Sequence, residues 1–521
     1  MLPAQAPPER YNFAAAVLAE NAARGAKVAF VDDSRSVTYE GLADRVRRFA
    51  AVLGEEGLRR EERVLVVMHD SVDLPTVFLG ALYAGVVPVL VNTLLPAADV
   101  VYMLEHSSAR LVVASAALEA KVREAIASSG EAPELLVSRA PIPVASAIGG
   151  GAERPDLEAR IAAASPRPSA ASTHADDIAF WLYSSGSTGK PKGTVHTHAN
   201  IFWTVELYAK PVLGLRADDV VFSAAKLFFA YGLGNGLTFP LSVGATTVLM
   251  AERPTPDAVF ERLIRHRPTV FAGVPTLYLA MLASPALPPR GRVALRVCAS
   301  AGETLPERVG QAFTDHFGCH ILDGLGSTEM LHIYLSARPG DVVYGTTGVP
   351  VPGYSVELRD DAGGRVAPGE LGDLYVKGPS AALLYWRDRD RTRSTFLGPW
   401  VRTGDRYRQL PSGHYQYAGR SDDMLKVSGQ YVAPVEVEIA LQEHAAVMEA
   451  AVVGRVDEHG LVRIFAFVVL RPGHSGDDAL VAALQAFVKG RLAPHKYPRE
   501  VVFLPELPKT ATGKIQRFKL R

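Results

Sequence analysis

Two cysteines, Cys298 and Cys319, are all that the 521-residue chain contains. Neither belongs to a Cys-x-x-Cys pair, so no zinc site or redox motif is expected. They read as two reduced thiols of a cytoplasmic protein. Net charge is lacking too, because 55 Lys plus Arg offset 55 Asp plus Glu. A nucleic-acid or anionic-membrane partner would therefore find no bulk attraction. The opening MLPAQAPPER has no basic segment followed by an apolar run, and no secretory signal is expected. There is no internal repeat and no heptad run. Two stretches, 74–98 and 227–251, are uncharged and long enough to span a bilayer. Pro75, Pro88 and Pro96 interrupt the first; Gly232, Gly234, Gly236, Pro240 and Gly244 interrupt the second. Both read as buried helix, strand and loop pieces of a soluble core.

What is present is an ordinary globular balance, 48% apolar and 21% charged, in a chain long enough for a large core and more than one domain. Short strands are expected over 28–32 and 37–39, and a helix over 41–53 with Leu42, Val46, Phe49 and Leu53 on one face. Apolar strands over 63–68, 86–91 and 111–114 alternate with helical patterns near 76–84 and before His106. Such alternation implies a largely parallel sheet covered on both faces. Residues 138–177, rich in Ala, Ser, Pro and Gly, read as a surface excursion with one short helix. Strands are also expected over 178–183 and 295–299. The last hundred residues read as a small α+β unit, with helices over 434–444 and 478–492 and strands over 450–453, 463–470 and 500–504.

The strongest chemical signal is YSSGSTGKPKG at 183–193, directly after an apolar strand. Small hydroxyl residues and glycines let backbone N–H groups curl around phosphate oxygens, and Lys190 and Lys192 add positive charge. Pro191 follows Gly189 and Lys190, where a Walker A loop needs Ser or Thr. Further along come SAGE at 300–303, DGLGSTE at 323–329, RTGD at 402–405, GRSDDMLKVSG at 419–429 and PKTATGKI at 508–515.

These six runs, in this order and over almost the entire chain, closely resemble the adenylate-forming superfamily. It includes acyl-CoA synthetases, luciferases and peptide-synthetase adenylation domains. The resemblance implies that Ser184, Ser185, Gly186, Ser187, Thr188 and Lys192 cradle ATP phosphates, and that Ala301, Gly302 and Glu303 border adenine, with Asp323 also at the nucleotide. Thr328 would contact the α-phosphate, and Glu329 would hold Mg²⁺, a hard cation suited to carboxylate and phosphate oxygens. Asp405 and Arg420 would meet the ribose, Asp422 would be the hinge, and Lys514 would be the catalytic lysine. Lys426 and Gly429 would face coenzyme A after the C-terminal domain rotates. A carboxylate attacking the anionic α-phosphate needs positive charge and alignment, which Mg²⁺, the phosphate loop and Lys514 would supply.

Two further segments, KLFFAYGLGN at 226–235 and MLHIY at 330–334, resemble the benzoate–CoA ligase branch. By that resemblance Ala230, Tyr231, Gly232, Gly324, Gly326, His332 and Ile333 line a compact aryl-acid pocket. His332 could also partner a ring substituent, so benzoate, anthranilate and the hydroxybenzoates all stay open. The fold implied is a large N-terminal α/β domain with layered sheets and flanking helices over 1–419, a hinge at 420–424, and a small mobile α+β domain over 425–521. The expected reaction is ATP-dependent formation of an aryl-CoA through an aryl-adenylate, with ATP, Mg²⁺ and coenzyme A. The alternative is a stand-alone adenylating enzyme that loads a carrier protein. No nucleic-acid or membrane partner is expected; a homodimer is left open.

Overall fold

The computed structural model describes residues 6–140, 156–184, 191–421, 423–427, 430–456, 462–492, 496–509 and 515–521. Ser185, Gly186, Ser187, Thr188, Lys190, Asp422, Gly429 and Lys514 lie outside the described residues, as do residues 141–155 of the Ala-, Ser-, Pro- and Gly-rich tract. The chain separates into two compact units. One comprises residues 1–344, 348–355 and 376–401, and the other residues 345–347, 356–375 and 402–521.

Two sheets organise the first unit. In the seven-stranded sheet the order is Leu384–Tyr385, Lys192–Thr197, Ile178–Ser184, Val87–Leu90, Arg63–Val67, Leu111–Ser115 and Glu134–Ser138. The last five run parallel, and the first two are antiparallel additions at one side. The nine-stranded sheet has a parallel centre that includes Val220–Ser223, Val270–Gly273, Val297–Ala301 and Ile321–Gly326. Strands buried on both faces explain the near-continuous apolar runs in the sequence.

Local chemistry sets these elements. Helix Tyr39–Glu55 starts where the Thr38 side chain accepts the Gly41 N–H. Its Leu42, Val46, Phe49 and Leu53 are all buried on one face, as their spacing requires. Burying each such side chain contributes about 1.5–3 kcal/mol. The uncharged run over 74–98 becomes most of helix Asp73–Ala84, strand Val87–Leu90 and the start of helix Ala97–Ser107. That over 227–251 becomes Ala230–Leu233, a π-helical turn Gly234–Thr238, Phe239–Val243 and strand Thr246–Val248. No helix among the described residues is long and apolar enough to cross a membrane.

The strand expected over 295–299 is displaced along the chain. It runs Val297–Ala301, not over 295–299. The strand starts two residues later than expected, directly after Arg296, whose Nε donates to Asp219 at 2.8 Å. Ser300 and Ala301 therefore belong to the strand, and the turn begins at Gly302.

The second unit contains residues 402–409 of strand Trp400–Gln409, paired with Tyr415–Arg420, and a short hairpin, Leu425–Val427 with Gln430–Val432. It also holds a three-stranded sheet, Val447–Val456, Val462–Leu470 and Glu500–Phe503. Helices Pro434–Gln442 and Asp478–Lys489 supply Val437, Leu441, Leu484 and Val488 to its core.

Candidate active site

Adjacency of two parallel strands brings two distant motifs together. Val297–Ala301 lies beside Ile321–Gly326, with Ser300 opposite Asp323 and Ala301 opposite Gly324. The turns after both strands therefore leave from one sheet end, where parallel α/β sheets bind ligands. Glu303 turns back to the neighbouring helix Pro275–Ala283. Its Oε2 accepts the Thr276 N–H at 3.1 Å and the Thr276 hydroxyl at 2.6 Å. A carboxylate there complements the unpaired N–H groups of a helix start. Asp323 is buried, and burial pushes its carboxyl up to about 8. Its Oδ1 has no hydrogen-bond partner among the described residues.

After Gly326 the chain makes a tight turn over Thr328–Met330, with the Ser327 side chain accepting the Met330 N–H. Glu329 is half-buried there. Tyr385 donates its hydroxyl to Glu329 Oε1 at 2.7 Å, and Lys192 Nζ sits 3.6 Å from the same oxygen. Lys192 also lies 4.4 Å from the centre of the Tyr385 ring and donates to its hydroxyl at 3.2 Å. Burial alone would raise the Glu329 carboxyl, but Lys192 and the Tyr385 hydrogen bond bring it below its ordinary value. Ser184 closes strand Ile178–Ser184, and its Oγ is buried without a partner among the described residues.

An aromatic cluster adjoins this turn in sequence. His332 is 3% exposed, with the Tyr231 ring stacked at 5.6 Å, Phe239 edge-on at 4.5 Å and Tyr208 at 5.1 Å. Asn235 Nδ2 holds the Tyr231 carbonyl at 3.0 Å and meets His332 Nε2 at 3.3 Å. His332 Nδ1 and the Tyr231 hydroxyl are buried without partners among the described residues. Burial pushes the His332 imidazole down to about 3, so it is neutral, and it pushes the Tyr231 phenol up. The π-helical turn fits against His332 because residue 234 is glycine: a Cβ there would lie 2.4 Å from His332 Cδ2. Residue 232 has no room either, since its Cβ would meet the Lys226 carbonyl at 2.0 Å. Ala230 opens helix Ala230–Leu233. Ile333 starts strand Ile333–Ser336, paired with Gly326, and its side chain lies over Gly324.

In the second unit Asp405 and Arg420 face each other across paired strands, with Arg420 Nη1 donating to Asp405 Oδ1 at 3.0 Å. Arg420 also donates to the Thr403 carbonyl at 3.0 Å. Lys426 belongs to strand Leu425–Val427.

Sequence reasoning did not single out Tyr385, Asn235, Tyr208, Phe239 or His196. Asn235 ended a quoted segment and could have been weighed by its four-residue spacing from Tyr231 on a helix. Tyr385 is 56 residues from Glu329, and no local pattern marks it.

The AMP-binding enzyme family matches residues 18–386, and the AMP-binding enzyme C-terminal domain matches residues 436–514. A benzoate–CoA ligase of Thauera aromatica is 55% identical over 518 residues, 99% of this chain and 96% of the relative. A 4-hydroxybenzoate–CoA/benzoate–CoA ligase of Rhodopseudomonas palustris is 47% identical over 98% of this chain and 94% of its own length. The crystal structure of a benzoate CoA ligase from Burkholderia xenovorans LB400 superposes with a TM-score of 0.92 at 61% identity, covering 98% of this chain and 100% of that one. The chain belongs to the AMP-binding, adenylate-forming enzyme family, in its benzoate–CoA ligase branch.

Proposed function

We propose that this protein is an AMP-forming ligase that joins benzoate, or a small substituted benzoate, to coenzyme A. The benzoate carboxylate attacks the α-phosphorus of ATP, and pyrophosphate leaves. The thiol of coenzyme A then attacks the acyl carbon of the adenylate, and AMP leaves. The observation that carries this reading is the buried aromatic cluster of Tyr231, His332, Phe239 and Tyr208, in which His332 follows Glu329 closely along the chain. Flat aromatic walls with few polar atoms suit one planar ring.

Glu329 is the residue that would hold Mg²⁺, because this ion takes one or two carboxylates and completes its shell with phosphate oxygens and water. When bound, it neutralises phosphate charge. Lys192 sits beside that carboxylate and adds positive charge for the phosphates. Thr328 would orient the α-phosphate, with Ser184, Ser185, Gly186, Ser187 and Thr188 around the leaving phosphates. Ala301, Gly302, Glu303 and Asp323 would border the base, and Asp405 and Arg420 the ribose. Lys514 would bridge the carboxylate and the α-phosphate as a mobile point charge. It would give way, by rotation about Asp422, to Lys426 and Gly429 for the thiol step. ATP and coenzyme A as substrates favour the cytoplasm as its place of work.

The test is AMP release that depends on coenzyme A, measured across benzoate, anthranilate, 2-, 3- and 4-hydroxybenzoate, cinnamate and acetate. A benzoate is expected to lead. Preference for cinnamate or acetate would overturn the assignment of Tyr231 and His332. Release with a carrier protein but not with coenzyme A would overturn the acceptor.

A further inference from the structure

The turn Thr328–Met330 carries the two residues that the proposed reaction sets at the α-phosphate and Mg²⁺. Each of its three carbonyls is held from outside the turn. His196 Nε2 lies 2.8 Å from the Thr328 oxygen. The Ala382 N–H donates to the Glu329 oxygen at 2.7 Å, and the Ser380 hydroxyl donates to the Met330 oxygen at 2.7 Å. The next residue, Leu331, has φ +64°, a conformation that a residue with a side chain keeps only where its surroundings impose it. The turn is thus held by partners outside it in addition to its own hydrogen bonds.

Of these partners His196 alone is a side chain reaching over from the strand that also carries Lys192. It is fully buried and stacked on Phe180, with ring centres 5.2 Å apart. Its tautomer follows from a chain of hydrogen bonds. Thr197 caps helix His198–Thr204, accepting the Asn200 N–H at 3.3 Å and donating its hydroxyl to Asn200 Oδ1 at 2.9 Å. With Oδ1 occupied as acceptor, Asn200 Nδ2 faces the Ala381 carbonyl at 3.1 Å and His196 Nδ1 at 2.9 Å. An amide nitrogen only donates, so Nδ1 is the bare nitrogen and the proton sits on Nε2. That proton points at the Thr328 carbonyl.

We propose that His196, locked in this tautomer by Asn200, is a positioning residue for adenylation: it sets the Thr328–Glu329 backbone so that hydroxyl and carboxylate meet the phosphate and its ion. The proposal rests on the ligase reading above. Neither His196 nor Asn200 touches substrate; both act through the turn.

The test uses the full chain and separates the two half-reactions, ATP–pyrophosphate exchange with benzoate and thioester formation from supplied benzoyl-adenylate. His196→Phe keeps the ring on Phe180 and removes the donor. Its exchange rate is expected to fall about 10- to 100-fold, the usual loss for an orienting partner, with thioester formation close to wild type. His196→Gln places an amide N–H near Nε2 and should recover most of the loss. Equal loss in both half-reactions, no rescue by Gln, or wild-type exchange in His196→Phe would overturn the proposal. If His196→Phe does not fold, Asn200→Ala takes its place, with a smaller loss expected in exchange alone; equal loss in both halves would overturn the proposal there too. Wild-type protein that exchanges with another acid refutes the benzoate reading and leaves the His196 test to be run with that acid. Wild-type protein that exchanges with no acid overturns both.

Discussion

Replacing Tyr385 with Phe removes a single oxygen and keeps the ring beneath Lys192. That oxygen donates to Glu329 at 2.7 Å and accepts from Lys192 at 3.2 Å. A hydrogen bond to a charged group contributes roughly 1.5–3 kcal/mol. Glu329 is half-buried, so water can occupy part of the vacated space, and Lys192 is released to approach the carboxylate more closely than its present 3.6 Å. Both effects favour the low end. About 1.4 kcal/mol is tenfold in rate, so exchange kcat/KM should fall about tenfold. More Mg²⁺ should be needed for half-maximal exchange, because the carboxylate is no longer held in place. The acid limb of the pH profile should also move up, since Tyr385 helps keep the Glu329 carboxyl low. The assay is ATP–pyrophosphate exchange with benzoate, with Mg²⁺ and pH varied in turn. Unchanged kcat/KM together with an unchanged Mg²⁺ requirement would refute the assignment of Glu329 as the residue that meets the ion.

Asp323 should make the fold pH-dependent. Its folded-state value of about 8 lies above the unfolded value, so the folded state binds the extra proton and stability falls as pH rises from about 4 to about 8. Asp323→Asn should flatten that slope in thermal unfolding of the ligand-free protein; a slope identical to wild type would show that the carboxyl is not the source. Gly234→Ala puts a Cβ 2.4 Å from His332, which should destabilise the fold by about 1–3 kcal/mol and raise KM for benzoate more than KM for ATP. Equal KM values to wild type would place the acid elsewhere. Lys514→Ala should nearly abolish adenylate formation while largely sparing conversion of supplied benzoyl-adenylate to the thioester, and equal loss in both steps would refute its assigned role.

Periodicity and local chemistry alone determined most of the elements. Leu42, Val46, Phe49 and Leu53 announce one face of a helix because 3.6-residue spacing is a property of the backbone itself. The breakers in the two uncharged runs announced their division for the same reason. The family was equally legible, since phosphate loops and charged motifs are contiguous and their order survives in the chain. Strand limits were less so: Val297–Ala301 starts two residues after the expected position, and Val447–Val456 is longer than the 450–453 expected. Only the tertiary structure decided which residues surround Glu329 and His332. Tyr385, His196 and Asn235 reach this region across 56, 132 and 97 residues of sequence, through strand neighbours and helix faces that no local window contains. The sequence by itself proposes the candidate groups, because their chemistry is written in short runs. Their charge state and orientation come from burial and long-range hydrogen bonds, which exist only once distant segments are brought into contact.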